Sequence, residues 1–441
     1  MKVYTRRRRK DTLEEKEEEK HDLINNLPDS ILCFIISFLP IKEVIRTTIL
    51  CKRWKKLWIS IPSINFDLQN PKLLTHNEVF HHIFRSHRGN MESCSIIHYI
   101  KKVKHQELQS WIKELTSKRM SINKLSLQSI GTAWPNLQLP FSRIFSCRSL
   151  HELELKNYLL SDGSPFEGCL NLKTLKLVSV SLSDKILNSM ILNCELLENL
   201  SLFHCGGLER LEIVDRNLKV LKIEFLRVKE IEIHDMGLRT LVIDSTTTCG
   251  KGYKIDTPNL QQLCVHHRNR NIDSIGLEIV EICCQLRISP NKYVSPFENL
   301  QKLLLNLNLK DIRQAPMLGF ILRMNRYLQE LIIEIDDEWF NTSTHDCLPY
   351  DKSLYWSKCE IFDCVLHHLR RVKLKGFRGD VLEMEFASFL ITKATKLKSI
   401  TFQCHDYQFS RQEAAITMAL LSLPRASLDV SIIIDKLVKR A

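Results

Sequence analysis

The chain has 441 residues, 44% of them hydrophobic and 26% charged, enough for more than one domain with a sizeable core. No apolar run approaches the ~20 residues that span a bilayer, and the basic run at 6–10 lacks the apolar stretch that would make it a secretory signal. The net charge of +12 permits contact with acidic surfaces, but Lys and Arg are interleaved with acids rather than gathered into a stripe, so neither membrane nor nucleic acid is an expected partner.

Residues 1–20 are almost entirely charged, a basic block at 6–10 followed by an acidic one at 14–19. Such blocks are solvated. Two readings stand for 6–10: a nuclear localisation signal or a flexible charged leader. Nucleus and/or cytoplasm is the expected location.

Within a unit of 21–67, residues 22–58 carry helical periodicity. Pro28 suits a helix start, and Asp29 complements the helix dipole. Leu27, Ile31, Ile35 and Phe38 form one apolar face, which Leu32, Ile36 and Leu39 widen. Pro40 ends this helix. Val44, Ile45 and Thr48 mark a second, and Cys51, Trp54, Leu57 and Trp58 a third. So short a unit cannot bury this surface by itself. It is either a helical cap on the next domain or a docking module completed by another protein.

Leu27-Pro28-Asp29, Ser37-Phe38-Leu39-Pro40, Arg46-Thr47 and Lys52-Arg53-Trp54 resemble plant-type F-boxes in order and spacing. The resemblance implies docking on a Skp-type adaptor, which bridges to a cullin scaffold. It implies adaptor contacts for Leu27, Pro28, Ile31, Leu32, Ile35, Phe38, Leu39, Val44, Ile45, Trp54 and Trp58, with the tryptophans partly serving the box's own packing. Asn25 and Cys51 stand where the family usually has Ser.

Residues 68–120 read as a helix-prone connector without one dominant pattern. From 121 to 345 the unit Leu-x-x-Leu-x-Leu repeats, as at Leu172/Leu175/Leu177, Leu197/Leu200/Leu202, Leu300/Leu303/Leu305 and Leu328/Leu331/Ile333. Most steps are in the 20–29-residue range of leucine-rich repeats. Between Leu197 and Leu238 the step shrinks to about ten residues, too few for a full coil, so each coil there should carry two strands, one on each face. Asn171, Asn217, Asn259 and Asn299 each precede a repeat-opening Leu, as turn residues would.

At 350–430 a strand around Leu369/Val372/Leu374 is followed by a turn at Gly376 and Gly379. A helix with Leu382, Phe386, Phe389, Leu390 and Ala394 inward comes next, then a strand at Leu397/Ile400/Phe402. This strand-helix-strand unit resembles the FBD domain that follows leucine-rich repeats in many plant F-box proteins. The expected fold is therefore α/β: an N-terminal three-helix F-box, a leucine-rich-repeat solenoid, and a C-terminal FBD-like region.

Catalytic signatures are missing: no phosphate-binding loop, nucleophile elbow or dinucleotide fingerprint occurs, so no enzyme activity and no cofactor are expected. The best metal candidate, Cys359, Cys364, His367 and His368, lacks the Cys-x-x-Cys spacing of structural zinc. The adjacent pairs His81-His82 and His266-His267 point to different faces. The 15 cysteines follow no disulfide framework and read as buried small residues.

If the repeats form one curved sheet, its central outward positions are Lys176, Ser201, Glu212, Lys222, Glu232, Val242, Cys264, Glu281, Leu304 and Ile332. Leu304 and Ile332 are the expected substrate contacts, unless the FBD-like region covers them. The resulting expectation is a substrate-recognition subunit of a Skp–cullin–F-box ubiquitin ligase, with an unidentified target protein held by the repeats. Two alternatives are a repeat scaffold without a ligase role and a small-molecule receptor using Lys176, Lys222, Arg227 and Lys229.

Overall fold

Strand-to-strand stacking in parallel register organises this molecule. The computed structural model describes residues 23–68, 76–99, 105–117, 121–131, 137–139, 141–145, 147–161, 169–214, 218–266, 297, 299–307, 309, 314–335, 355–404 and 413–436. The charged leader, Asn217, His267, Glu281 and one further repeat unit that the sequence shows at Leu277/Val280/Ile282 lie outside these residues.

Three short helices open the described chain: α1 (Asp29–Ile36), α2 (Ile41–Thr47) and α3 (Trp54–Leu57). The strands then follow as β1 (Ser63–Asp67), β2 (Ser93–Tyr99), β3 (Lys124–Ile130), β4 (Glu152–Lys156), β5 (Thr174–Val178), β6 (Asn199–Phe203), β7 (Arg210–Ile213), β8 (Val220–Glu224), β9 (Arg227–His234) and β10 (Thr240–Asp244). They continue as β11 (Thr247–Asp256), β12 (Gln262–His266), β13 (Lys302–Leu307), β14 (Glu330–Ile335), β15 (Arg371–Phe377), β16 (Ser399–Cys404) and β17 (Ser431–Lys436). Among the described residues, fourteen strands form one sheet in the order β1-β2-β3-β4-β5-β6-β8-β10-β12-β13-β14-β15-β16-β17, and β11-β9-β7 form a second.

The repeat explains the sheet. Leu175, Leu200, Leu221, Leu241, Leu263, Leu303 and Leu331 pair in register from strand to strand, and all are buried. Each coil's leucines are thus covered by those of its neighbours, as a solenoid requires. The turns stack too. Asn171 donates its side-chain N–H to Arg148 O at 2.6 Å, Asn259 to Met236 O at 2.8 Å and Asn299 to Pro258 O at 3.0 Å, each reaching the preceding coil.

Where the step shortens to ten residues, the coils do carry two strands. β7, β9 and β11 form the second sheet, and their buried Leu211, Ile213, Ile231 and Ile233 share the core with the main sheet. Glu212 and Glu232 therefore do not belong with the outward row of the main sheet, since the short step puts them on this second surface.

The expected connector at 68–120 is instead part of the solenoid. β1 and β2 are the first strands of the main sheet, alternating with α4 (His76–Ser86) and α5 (His105–Leu115). Leu108, Trp111, Ile112 and Leu115 do form an i, i+3, i+4, i+7 buried face. In β2 the inward positions are Cys94, Ile96 and His98 rather than leucines, which hides the strand from a leucine count.

At the other end, β15, β16 and β17 extend the same sheet, with α11 (Val381–Lys393) between β15 and β16. In chain order α6 (Phe141–Phe145), α7 (Asp184–Asn193), α8 (Gln314–Met324), α9 (Tyr355–Lys358) and α10 (Asp363–His367) come before it, and α12 (Glu413–Ser422) after it. The described part of the FBD-like region thus continues the sheet beside the repeats, with Lys373 paired to Ile332.

Candidate protein-docking surfaces

The N-terminal helices are apolar on two sides, and the structure assigns a different job to each. Leu32, Cys33 and Ile36 of α1 are buried, with Ile41, Val44, Trp54 and Leu57. They pack into a core continuous with Ile61, Ile64 and Phe66. The helical unit therefore caps the first coil. Pro40 bridges to Asn65 of β1, whose side chain donates to Ser37 O at 3.1 Å.

The other side stays open. Ile31, Ile35, Phe38 and Ile45 are exposed, Phe38 by 69%. Pro28 is exposed, and Leu27, Leu39 and Trp58 are half-buried at the rim. Leu32 and Val44, grouped with the outward contacts by sequence, are corrected here, and Trp54 takes the packing part of its expected role. They face the core because helix spacing places them opposite the open side.

Five exposed apolar residues escaped the sequence reading: Leu23, Ile24, Phe34, Ile49 and Leu50, with Ile49 85% exposed. The spacing of Phe34 from Ile31 and Phe38, three and four residues, was the available signal. The Phe34 and Phe38 rings meet edge-on at 4.9 Å. Exposed apolar side chains concentrated on one short unit make it a candidate docking site.

The segment before α1 is held in place by α3. Arg53 Nε donates to Asp29 Oδ1 at 2.6 Å, and its two terminal nitrogens donate to Asn25 O and Leu27 O. The Trp54 indole donates to Asn25 Oδ1 at 2.7 Å. Asn25, a departure from the usual Ser, is thereby an acceptor that fixes the start of the docking face.

On the open face of the main sheet, the in-register central row reads Lys176, Ser201, Lys222, Val242, Cys264, Leu304, Ile332 and Lys373. Leu304 is half-buried and Ile332 only 9% exposed. Ile332 is thus less available than alternation suggested, because charged neighbours close over it. On one side Glu330 accepts from Lys302 at 2.9 Å and from Arg371 at 3.0 Å. On the other, Glu334 pairs with His266 at 3.1 Å and with Lys375. The bond from His266, aided by Lys375, holds the Glu334 carboxyl down to about 2. Burial would raise Glu330, and its two cationic partners outweigh that, leaving it below the ordinary carboxylate value.

The other sequence candidates separate. Arg227 and Lys229 sit on β9 of the second sheet, Lys229 paired with Glu209 at 2.8 Å, while Lys176 on the main sheet pairs with Glu154 at 2.8 Å. They do not form one basic pocket with Lys222. Cys364 is buried, donates its thiol to Leu322 O at 3.0 Å, and is pushed up to about 12 by burial. His368 instead meets the Tyr327 ring at 5.4 Å. Among the described residues no group of three or more His, Cys, Asp or Glu is placed to hold a metal.

Comparison with known proteins matches this organisation. A family model described as the leucine-rich repeats of the FBD-associated F-box protein At5g56370 matches residues 108–333, over half of the chain. An F-box domain model matches residues 24–65 and an FBD model residues 360–402. The Arabidopsis thaliana F-box protein At1g80960 is 26% identical, over 91% of this chain and 87% of that protein. The F-box/FBD/LRR-repeat protein At5g56420 of the same plant is 24% identical, over 94% of this chain and 99% of that protein. An exposed F-box face, a repeat sheet and an FBD region in one chain, each matched in turn, place this protein in the plant F-box/FBD/leucine-rich-repeat family.

Proposed function

We propose that this F-box protein is a substrate-recognition subunit of a Skp–cullin–F-box ubiquitin ligase, acting in the nucleus and/or cytoplasm. The carrying observation is the open apolar side of α1 and α2, where Ile31, Phe34, Ile35, Phe38 and Ile45 remain exposed after the unit has capped its own solenoid. A Skp-type adaptor would cover that side and connect it to a cullin scaffold. The sheet at the far side of the unit would hold a target protein. The chain is not itself the enzyme in this reading: it contributes binding and geometry, and ubiquitin transfer follows from proximity.

The test is a pull-down of the full chain with a Skp-type adaptor. Phe38→Asp and Ile35→Asp place charge in a buried interface, so each should weaken capture at least tenfold. Both positions are exposed in the free chain, so thermal unfolding should stay unchanged. Failure of the wild-type chain to bind the adaptor would favour a repeat scaffold without a ligase role.

A further inference from the structure

The open sheet face carries an apolar strip with a defined length and defined ends. Val242, Cys264, Leu304 and Ile332 follow one another in register on β10, β12, β13 and β14. Lys222 of β8 precedes them in the same row and Lys373 of β15 follows. Neither lysine has an acidic partner among the described residues, whereas the nearby Lys302, Arg371 and Lys375 are paired with Glu330 or Glu334. The unpaired charges therefore stand at the two ends of the strip, and the ion pairs run along its flank.

The dimensions select an occupant. Lys222 and Lys373 are separated by five strand spacings of ~4.8 Å, or about 24 Å. An extended chain covers that in about seven residues at ~3.3 Å each. The strip is one side chain wide, because the positions two residues away along β13 and β14 are Lys302, Asn306, Glu330 and Glu334. A single row of apolar side chains matches the single row that one face of an extended segment presents, whereas an amphipathic helix presents a broader stripe.

We infer that this strip binds an extended segment of the target protein, with alternate apolar residues over Val242, Cys264 and Leu304 and a carboxylate at each end, on Lys222 and Lys373. The inference rests on the proposed role of the repeats in target capture and specifies the chemistry of the target. Burial of the central apolar side chains supplies attraction, and the end charges fix direction and length.

The probe is a fluorescein-labelled nine-residue peptide, Asp-Thr-Val-Thr-Leu-Thr-Val-Thr-Asp, titrated against the full chain by anisotropy. A second peptide has Lys at both ends. The Asp-ended peptide should bind at least fivefold tighter at low salt, with the difference mostly lost in 1 M NaCl. Lys222→Glu and Lys373→Glu should each weaken it about threefold, and the double variant should prefer the Lys-ended peptide. Leu304→Asp should weaken both peptides. Equal binding of the two peptides, no binding of either, or an unchanged preference in the double variant would overturn the inference. Adaptor pull-down of the same preparations separates the two ideas: intact adaptor capture with failed peptide binding removes this inference and leaves the proposed ligase role standing.

Discussion

Arg53 joins both ends of the F-box through one side chain. It donates to the Asp29 carboxylate and to the carbonyls of Asn25 and Leu27, three acceptors that only a planar fork reaches together. Its neighbour Trp54 is buried and reaches Asn25 as well. The Leu27-Pro28 step that leads into the docking face is therefore positioned from α3, more than twenty residues away in sequence. Arg53→Lys keeps the charge and loses the fork. We expect a local cost of about 1–2 kcal/mol. Hydrogen exchange should read it as lost protection in α1 with little change in β10 to β16, and adaptor capture should weaken in parallel. Unchanged exchange in α1 would mean that the helix is fixed by packing alone.

At the scale of elements, most of the sheet was legible, but its first two strands and its last were not. The Leu-x-x-Leu-x-Leu spacing gives β5 to β10 and β12 to β14, and its shortened step points to the second sheet, although β11 carries no such unit. β1 and β2 were missed since Ile64 and Phe66 in β1, and Cys94, Ile96 and His98 in β2, fill the inward positions in place of leucines, with His98 held by Tyr158 at 2.8 Å. The turns after five strands were equally hidden. Asn157, Ser179, His204, Phe225 and Ser245 all adopt positive φ, at 48–61°, where a reader of sequence looks for Gly. Each N–H bonds the next coil, as Ser179 N does to Phe203 O at 2.8 Å, so stacking imposes a conformation the residue itself disfavours. The docking face was half legible: an apolar helix announces burial, but only packing decides which side is buried by the chain itself. The ion pairs across β12 to β15 make a further expectation at this scale. The Glu334 carboxyl is lowered from its ordinary 4.5 to about 2, so its stabilising effect is full above about pH 4.5 and is lost as the pH falls toward 2. Glu334→Gln should cost about 1–2 kcal/mol at pH 7, allowing for its partial exposure. Urea midpoints should show the gap to wild type closing below pH 4.5, and a gap that stays constant down to pH 3 would deny the pair any role in stability.

Across the whole molecule, the boundary between docking unit and repeats runs through a strand. The F-box match ends at residue 65, within β1, which spans Ser63–Asp67 and pairs with β2. Phe66 is buried there with its ring 5.1 Å from Phe80 and 5.6 Å from Phe84, both on α4. His87, also buried, bonds Ile61 O at 2.9 Å, and Arg88 N donates to Ile59 O at 2.9 Å. The helices that would meet an adaptor and the sheet that would meet a target thus share one core. A ligase subunit gains from this, because a fixed orientation between the two surfaces holds the target where transfer occurs. Phe66→Ala tests the coupling. It opens a cavity at the junction and should cost about 3–5 kcal/mol. If the junction unfolds as one unit, amide exchange should accelerate together in α1 to α3, β1 and β2, while β10 to β16 keep their protection. Added adaptor should then restore protection to β2 as well as to the helices, since it binds only the folded unit. Faster exchange confined to β1 and β2, with α1 to α3 unaffected, would show two independently folding parts and remove the case for a fixed orientation.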